Sequence, residues 1–250
     1  MTTTATTPND RPDHVVIVGG TSGIGLATAR HAEARRGARV TVAGRTRDHL
    51  DAAREELSSG AGFEQVDATD PQSVAALFAR VGRLDHLVVS LAGGAALGPF
   101  RELDAEALAA TLDVKLFGYL NVIRHAVPQL DARGSITLVT GMAAQRPAPG
   151  IASLAIANGA IEALVGVLAL ELKPVRVNAV SPGVIRTPAW DRLPGTARNA
   201  LFENTARRTP VGRVGEADEV AAAILSLIDN DFLTGVVLPC DGGMGVAGGG

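Results

Sequence analysis

Unbroken apolar runs alternate with stretches of helical spacing along nearly the whole chain. The first run, Val15 to Val18, passes straight into Gly19, Gly20, Gly23 and Gly25. An Ala-rich segment with helical periodicity follows, from Leu26 to about Arg36. That order predicts a buried strand, a glycine turn and a helix. The pattern then repeats. Strands are expected at 38–44, near 62–66, in the run from Leu84 towards Gly94, at 134–141, at 175–183 and at 236–243. Between them the spacing predicts helices through Leu50, Ala53 and Leu57, and from the Asp70-Pro71 start to about Gly82. Further helices are expected from Asp104 to Leu130, with a break near Val127–Pro128, from Ile151 to Leu172, and from Glu216 to Ile228. Residues 184–215 read as a Pro- and Arg-containing excursion.

Seven alternations without a shift in composition predict one α/β domain, a Rossmann-type doubly wound sheet of seven parallel strands. Its strands are apolar throughout because helices cover both faces. Residues 13–250 make up that domain. Residues 1–12, MTTTATTPNDRP, read as a disordered tail without the basic start and apolar core of a signal peptide. Ligands in such a sheet bind beyond the C-terminal ends of the strands, where the strand order reverses. That rule gathers the glycine turn, Arg45, Asp67, Ala92–Gly94, Thr140–Gly141 and Ser181–Thr187 around one crevice.

Composition narrows the function. A net charge of −3 leaves no footprint for nucleic acid or an acidic membrane. No 18 apolar residues run together, so no membrane span is expected. The single cysteine, Cys240, fits a reducing cytoplasm and reads as a buried strand residue. No pair among the five histidines has metal-ligand spacing, so no metal site is expected. Of the 23 basic residues only two, Lys115 and Lys173, are lysines. A lysine in this chain therefore calls for a local reason.

The glycine turn predicts a dinucleotide site. Glycines allow positive φ and close approach of a diphosphate, which the N-terminus of the following helix then faces. Where an acidic residue would hold the ribose 2′-hydroxyl of NAD, the sequence reads Ala43-Gly44-Arg45-Thr46-Arg47. Arg45 suits a 2′-phosphate and predicts NADP(H). The alternative makes Arg45 and Arg47 solvated residues at a helix start.

With these pieces placed, residues 14–243 resemble the short-chain dehydrogenase/reductase family. Gly19-Gly20-Thr21-Ser22-Gly23-Ile24-Gly25 matches its glycine motif, except that the family usually begins with Thr. Asp67-Ala68 resembles its adenine contact, and Ser90-Leu91-Ala92-Gly93 stands where the family has Asn-Asn-Ala-Gly. Ser181-Pro182-Gly183, followed by Ile185 and Thr187, resembles the segment that closes over the nicotinamide. Thr234-Gly235 and Asp241-Gly242-Gly243 match its C-terminal end. With Arg45 and Thr46, these residues form the expected cofactor site.

The family's Ser, Tyr, Lys and Asn positions fall on Gly141, Leu154, Asn158 and Lys115, so its usual acid/base set is missing. Lys and Asn have changed places between two helices that face each other in the family. This exchange would return an ammonium to nearly the same place, with Lys115 as electrostatic anchor or proton donor and burial lowering its pKa. Otherwise Lys115 is a surface cation. Thr140 and Ser153 are the candidate hydroxyls beside a substrate carbonyl, or else a strand-end and a cap hydroxyl. Together Lys115, Thr140, Ser153 and Asn158 form the candidate catalytic set. The only tyrosine, Tyr119, reads as packing or a subunit contact.

The reading these features favour is an NADP(H)-dependent oxidoreductase acting on a small carbonyl, imine or enone. The alternative is a non-redox protein on the same fold, such as a cyclase, dehydratase, isomerase or nucleotide sensor. Residues 185–213, with Trp190, Leu193 and Phe202, read as a substrate lid. Arg186 and Arg192 nearby hint at an anionic or strongly polar substrate. The resemblance also implies a homo-oligomer, most often a tetramer.

Overall fold

A computed structural model describes residues 11–92, 94 and 96–247. Seven parallel strands form its sheet: β1 (His14–Val18), β2 (Arg39–Gly44), β3 (Gly62–Gln65), β4 (Leu84–Val89), β5 (Leu130–Val139), β6 (Arg176–Pro182) and β9 (Val237–Cys240). Their order is β3-β2-β1-β4-β5-β6-β9, so the direction of winding reverses between β1 and β4. A second, two-stranded sheet joins β7 (Ile185–Arg186) to β8 (Gly215–Glu216).

Successive side chains of a strand point to opposite faces, and here both faces are dry. Val16 and Val18 of β1 pack with Leu87, Ile136 and Leu138 towards α3 (Pro71–Val81), α5 (Gly118–Ala126) and α6 (Ala152–Glu171). Val15 and Ile17 pack the other way, towards α1 (Gly23–Arg36) and α8 (Ala217–Asp229). Helix α2 (Arg47–Arg54) buries Leu50 and Ala53.

Helix α6 is long and apolar enough to cross a membrane by length and composition alone. It lies instead against the sheet, with Ser153, Ala157, Asn158, Ile161 and Val165 buried.

Several boundaries differ from the sequence expectation. The region 104–130 is not one helix. It comprises α4 (Ala105–Leu112), a π turn (Asp113–Phe117), α5 and a short 3-10 turn at Val127–Gln129. The excursion after β6 holds a full helix, α7 (Gly195–Arg208), which prolines and arginines masked in the sequence. Of the expected tail, residues 1–10 lie outside the described residues. Arg11 is anchored, its guanidinium forked onto the Asp85 carboxylate at 2.8 and 2.9 Å. Cys240 is only partly buried, since the neighbouring Pro239 of its edge strand is open to solvent.

The glycine turn is a matter of close packing as well as of backbone angle. Gly19 has φ +86°, and a Cβ on it would stand 2.3 Å from the Ser90 carbonyl oxygen beyond β4. A Cβ on Gly25 would stand 2.1 Å from the Gly19 oxygen. Helix α1 therefore seats directly on the turn. Gly25→Ala is expected to cost about 1–3 kcal/mol through this overlap, read as a lower urea midpoint.

Candidate active site

The C-terminal ends of the strands open into one cleft of about 1320 Å³. A pocket for a single small molecule is roughly 300–1,000 Å³, so this one has room for a dinucleotide and a second reactant.

On one side stand the expected cofactor residues. Gly19, Thr21, Ser22, Gly23 and Ile24 line the cleft at the start of α1, with Arg45, Thr46, Asp67, Ala68 and Ala92 beside them. Pro182, Gly183, Ile185 and Thr187 line it from beyond β6. Gly25 lies behind the turn in the α1 packing, and Gly93 falls outside the described residues. The side chain of Thr21 packs on Gly44, where a Cβ would meet its Cγ2 at 2.5 Å. The Asp67 carboxyl is held below its usual range, first by the Thr69 hydroxyl and N–H and less by Arg45. Arg45 is exposed and, among the described residues, has no carboxylate within 4.0 Å.

The floor of the cleft is built by α6 and the π turn. In that turn the Gly118 N–H donates to the Asp113 oxygen five residues back. One inserted residue changes which side chains face inward. Val114 and Lys115 line the cleft, while Leu116 packs on the core and Phe117 is exposed. Lys115 Nζ donates to Asn158 Oδ1 at 3.1 Å. Desolvation pushes the ammonium of Lys115 down to about 8. Lys115 and Asn158 are thus direct partners.

That bond fixes the amide of Asn158. Lysine only donates, so Oδ1 must face it and Nδ2 points away. Nδ2 fills the space over Gly141, where an added Cβ would approach it to 2.9 Å. A glycine at this strand end makes room for the asparagine. Leu154, one helical turn earlier on the same face of α6, lines the cleft with an apolar side chain.

The two candidate hydroxyls are placed differently from the sequence expectation. Ser153 is fully buried, and its Oγ donates to the Ala96 oxygen at 2.7 Å rather than facing the cleft. The Ala96 N–H donates in turn to Thr111 Oγ1 at 3.1 Å. Ser153 and Thr111 therefore clamp the segment after β4 from two helices. Thr140 lines the cleft, but its hydroxyl donates to Glu162 Oε1 at 2.8 Å, with the Val180 oxygen at 3.2 Å. Its one hydrogen is committed, so it can accept a hydrogen bond in the cleft but not give one. Glu162 follows Asn158 by four residues, and that spacing on α6 was a readable signal. Tyr119 is core: its hydroxyl donates to the Val139 oxygen at 2.6 Å, and burial raises its pKa.

In the excursion, Trp190 and Leu193 line the cleft, while Phe202 is buried edge-on against Trp190 at 6.4 Å. Trp190 Nε1 donates to the Ile185 oxygen at 2.8 Å. Arg186 turns away from the cleft, over the Phe202 ring and onto Glu216. Arg192 does line the cleft, together with Arg146 and Arg208. The sequence reading overlooked these last two, since one of 21 arginines does not stand out.

Comparison with known proteins agrees with this architecture. Residues 18–245 match the family model described as enoyl-(acyl carrier protein) reductase. The cis-4-hydroxycyclohexanecarboxylate dehydrogenase of Sinomonas cyclohexanicum is 34% identical, over 91% of this chain and 94% of its own length. The L-fucose dehydrogenase of Oryctolagus cuniculus is 35% identical, over 92% and 84%. A small-chain dehydrogenase solved in complex with NADPH has a TM-score of 0.80 at 31% identity, covering 94% of this chain and all of that one. The chain belongs to the short-chain dehydrogenase/reductase family, and it is an oxidoreductase of that type. These relatives do not favour the non-redox alternative.

Proposed function

We propose that this protein is an NADP(H)-dependent oxidoreductase for a small carbonyl, imine or enone, with a rebuilt acid/base site. The observation that carries the reading is the bond between Lys115 Nζ and Asn158 Oδ1 on the cleft floor. It places an ammonium and a free amide N–H beside apolar Leu154, where the family pattern has its Tyr and Lys.

The cradle suits the dinucleotide. Gly19 and Gly23 keep backbone close to the cleft with φ of +86° and +52°, and the start of α1 offers the donors a diphosphate needs. Bound NADPH supplies the hydride. The protein's own part is to hold the reacting oxygen and deliver a proton. Lys115 has two N–H donors beyond the one given to Asn158, and Asn158 Nδ2 stands over Gly141. These two groups receive a carbonyl oxygen, and Lys115 passes it a proton. Thr140, with its hydrogen on Glu162, braces the strand end, and Ser153 holds the loop after β4.

Residues 13–250 act as one domain in this reading, with 185–213 as a lid over the substrate. Ile156, Val167 and Leu170 leave an apolar face of α6 exposed, which supports a homo-oligomer, most simply a tetramer. A reducing cytoplasm suits the single Cys240.

The activity test follows NADPH oxidation at its absorbance band across carbonyl, imine and enone substrates. Oxidation by any class supports the reading, and a bound but inert nucleotide overturns it. Arg45 tests the choice of nucleotide. A charge-assisted hydrogen bond is worth about 1.5–3 kcal/mol, so Arg45→Ala is expected to weaken NADPH by about tenfold to a hundredfold. NADH binding stays unchanged, both measured by fluorescence titration. Equal binding of the two nucleotides before and after the substitution would exclude the 2′-phosphate contact.

A further inference from the structure

Three further arginines line the cleft beyond the elements that carry Arg45 and the glycine turn. Arg146 follows the short turn after β5, Arg192 lies in the segment after β7, and Arg208 stands near the end of α7. Leu201 and Arg208, seven residues apart on α7, both line the cleft from one helix face. Elsewhere arginines are commonly matched: Arg30, Arg36, Arg80, Arg83, Arg186 and Arg213 each meet a carboxylate. Among the described residues, no carboxylate lies within 4.0 Å of Arg146, Arg192 or Arg208. Asp67, the one acidic side chain on the cleft's lining among the described residues, stands beyond β3 at the opposite end and is engaged by Thr69.

Guanidinium groups on three separate segments, with Met142, Leu154 and Trp190 also on the lining, suit an oxyanion attached to an apolar body. We propose that this end of the cleft selects carbonyl substrates bearing a carboxylate or phosphate group. Arg146, Arg192 and Arg208 hold the anion while the carbonyl oxygen reaches Lys115 and Asn158. This rests on the redox reading above. In the reaction, hydride from NADPH forms the new C–H bond and the C=O π pair moves to oxygen. That oxygen takes a proton from Lys115, giving the alcohol and NADP+, and Lys115 regains its proton from solvent.

The test uses the whole protein with NADPH and three probes: 5-oxohexanoate, its methyl ester and 4-oxopentyl phosphate. The wild type is expected to favour at least one acid over the ester by tenfold or more in kcat/KM. That ratio falls towards one in Arg146→Gln combined with Arg208→Gln, and which acid is preferred tells carboxylate from phosphate. Ester reduced as fast as both acids overturns the proposal and leaves the redox reading standing. If no probe is reduced, calorimetric titration of the NADPH complex with glutarate and with phenyl phosphate decides. Binding of either anion that weakens tenfold or more in the double variant sustains the anion site without the redox reading. No binding of either overturns it.

Discussion

Lys115→Met is expected to lower kcat/KM for NADPH-dependent reduction by about 10²–10⁴-fold, the usual contribution of a positioned acid or base. Methionine keeps the length and apolar stem of the side chain but can neither donate to Asn158 Oδ1 nor supply a proton. The wild-type pH profile gives a second readout. Desolvation lowers the Lys115 ammonium to about 8, and the protonated form is the donor. Reduction should therefore hold at its plateau below pH 8 and fall as pH rises through it. Oxidation of the alcohol needs the neutral amine and should rise over the same interval. In Lys115→Met the residual activity loses this inflection. NADPH affinity is expected to weaken as well, because the cleft floor loses its ammonium. Full activity, unchanged affinity and an unaltered pH profile in this variant would remove Lys115 from the chemistry.

The glycine turn and the strand and helix around it were legible in the sequence because their constraints are local. Four apolar residues, a turn that must be glycine and a helix start are consecutive in the chain. The overlaps at Gly19 and Gly25 show why nothing larger fits. Lys115 and Asn158 were singled out by the resemblance to the family pattern. Their hydrogen bond was not legible, because it depends on the π turn at 113–117, which has no periodic signature. Ser153 illustrates the opposite error. It stands next to Leu154, but adjacent helical residues point about 100° apart, and its hydroxyl goes to the Ala96 oxygen instead of the cleft. Thr140 does line the cleft, but the partner of its hydroxyl was not readable, since Glu162 comes from an element 22 residues away. Arg146 and Arg208 were hidden by number, and it takes the fold to show that they line the cleft with no carboxylate within 4.0 Å among the described residues.

The pair can also be tested by transposing its two side chains. Asn158→Lys alone would bring a second ammonium towards Lys115, in a site where N and O now sit 3.1 Å apart. Like charges in a desolvated pocket cannot both ionise, so one must give up its proton or be pushed out. Adding Lys115→Asn returns one donor and one acceptor to the pair, in the opposite sense. Residues in direct contact couple by about 0.5–3 kcal/mol, and each kcal/mol moves the Tm of a chain this size by roughly 2–4 °C. The single Asn158→Lys variant is therefore expected to melt several degrees below the wild type. The Lys115→Asn/Asn158→Lys double variant should recover most of that loss. NADPH binding should follow the same order, because the double variant restores an ammonium to the cleft floor. Reductase activity should recover only in part, since the transposed ammonium would reach the carbonyl oxygen from α6 rather than from the π turn. Adding Leu154→Tyr to the double variant is the step expected to raise the rate. Additive melting shifts for the two substitutions would mean that Lys115 and Asn158 do not act as a pair.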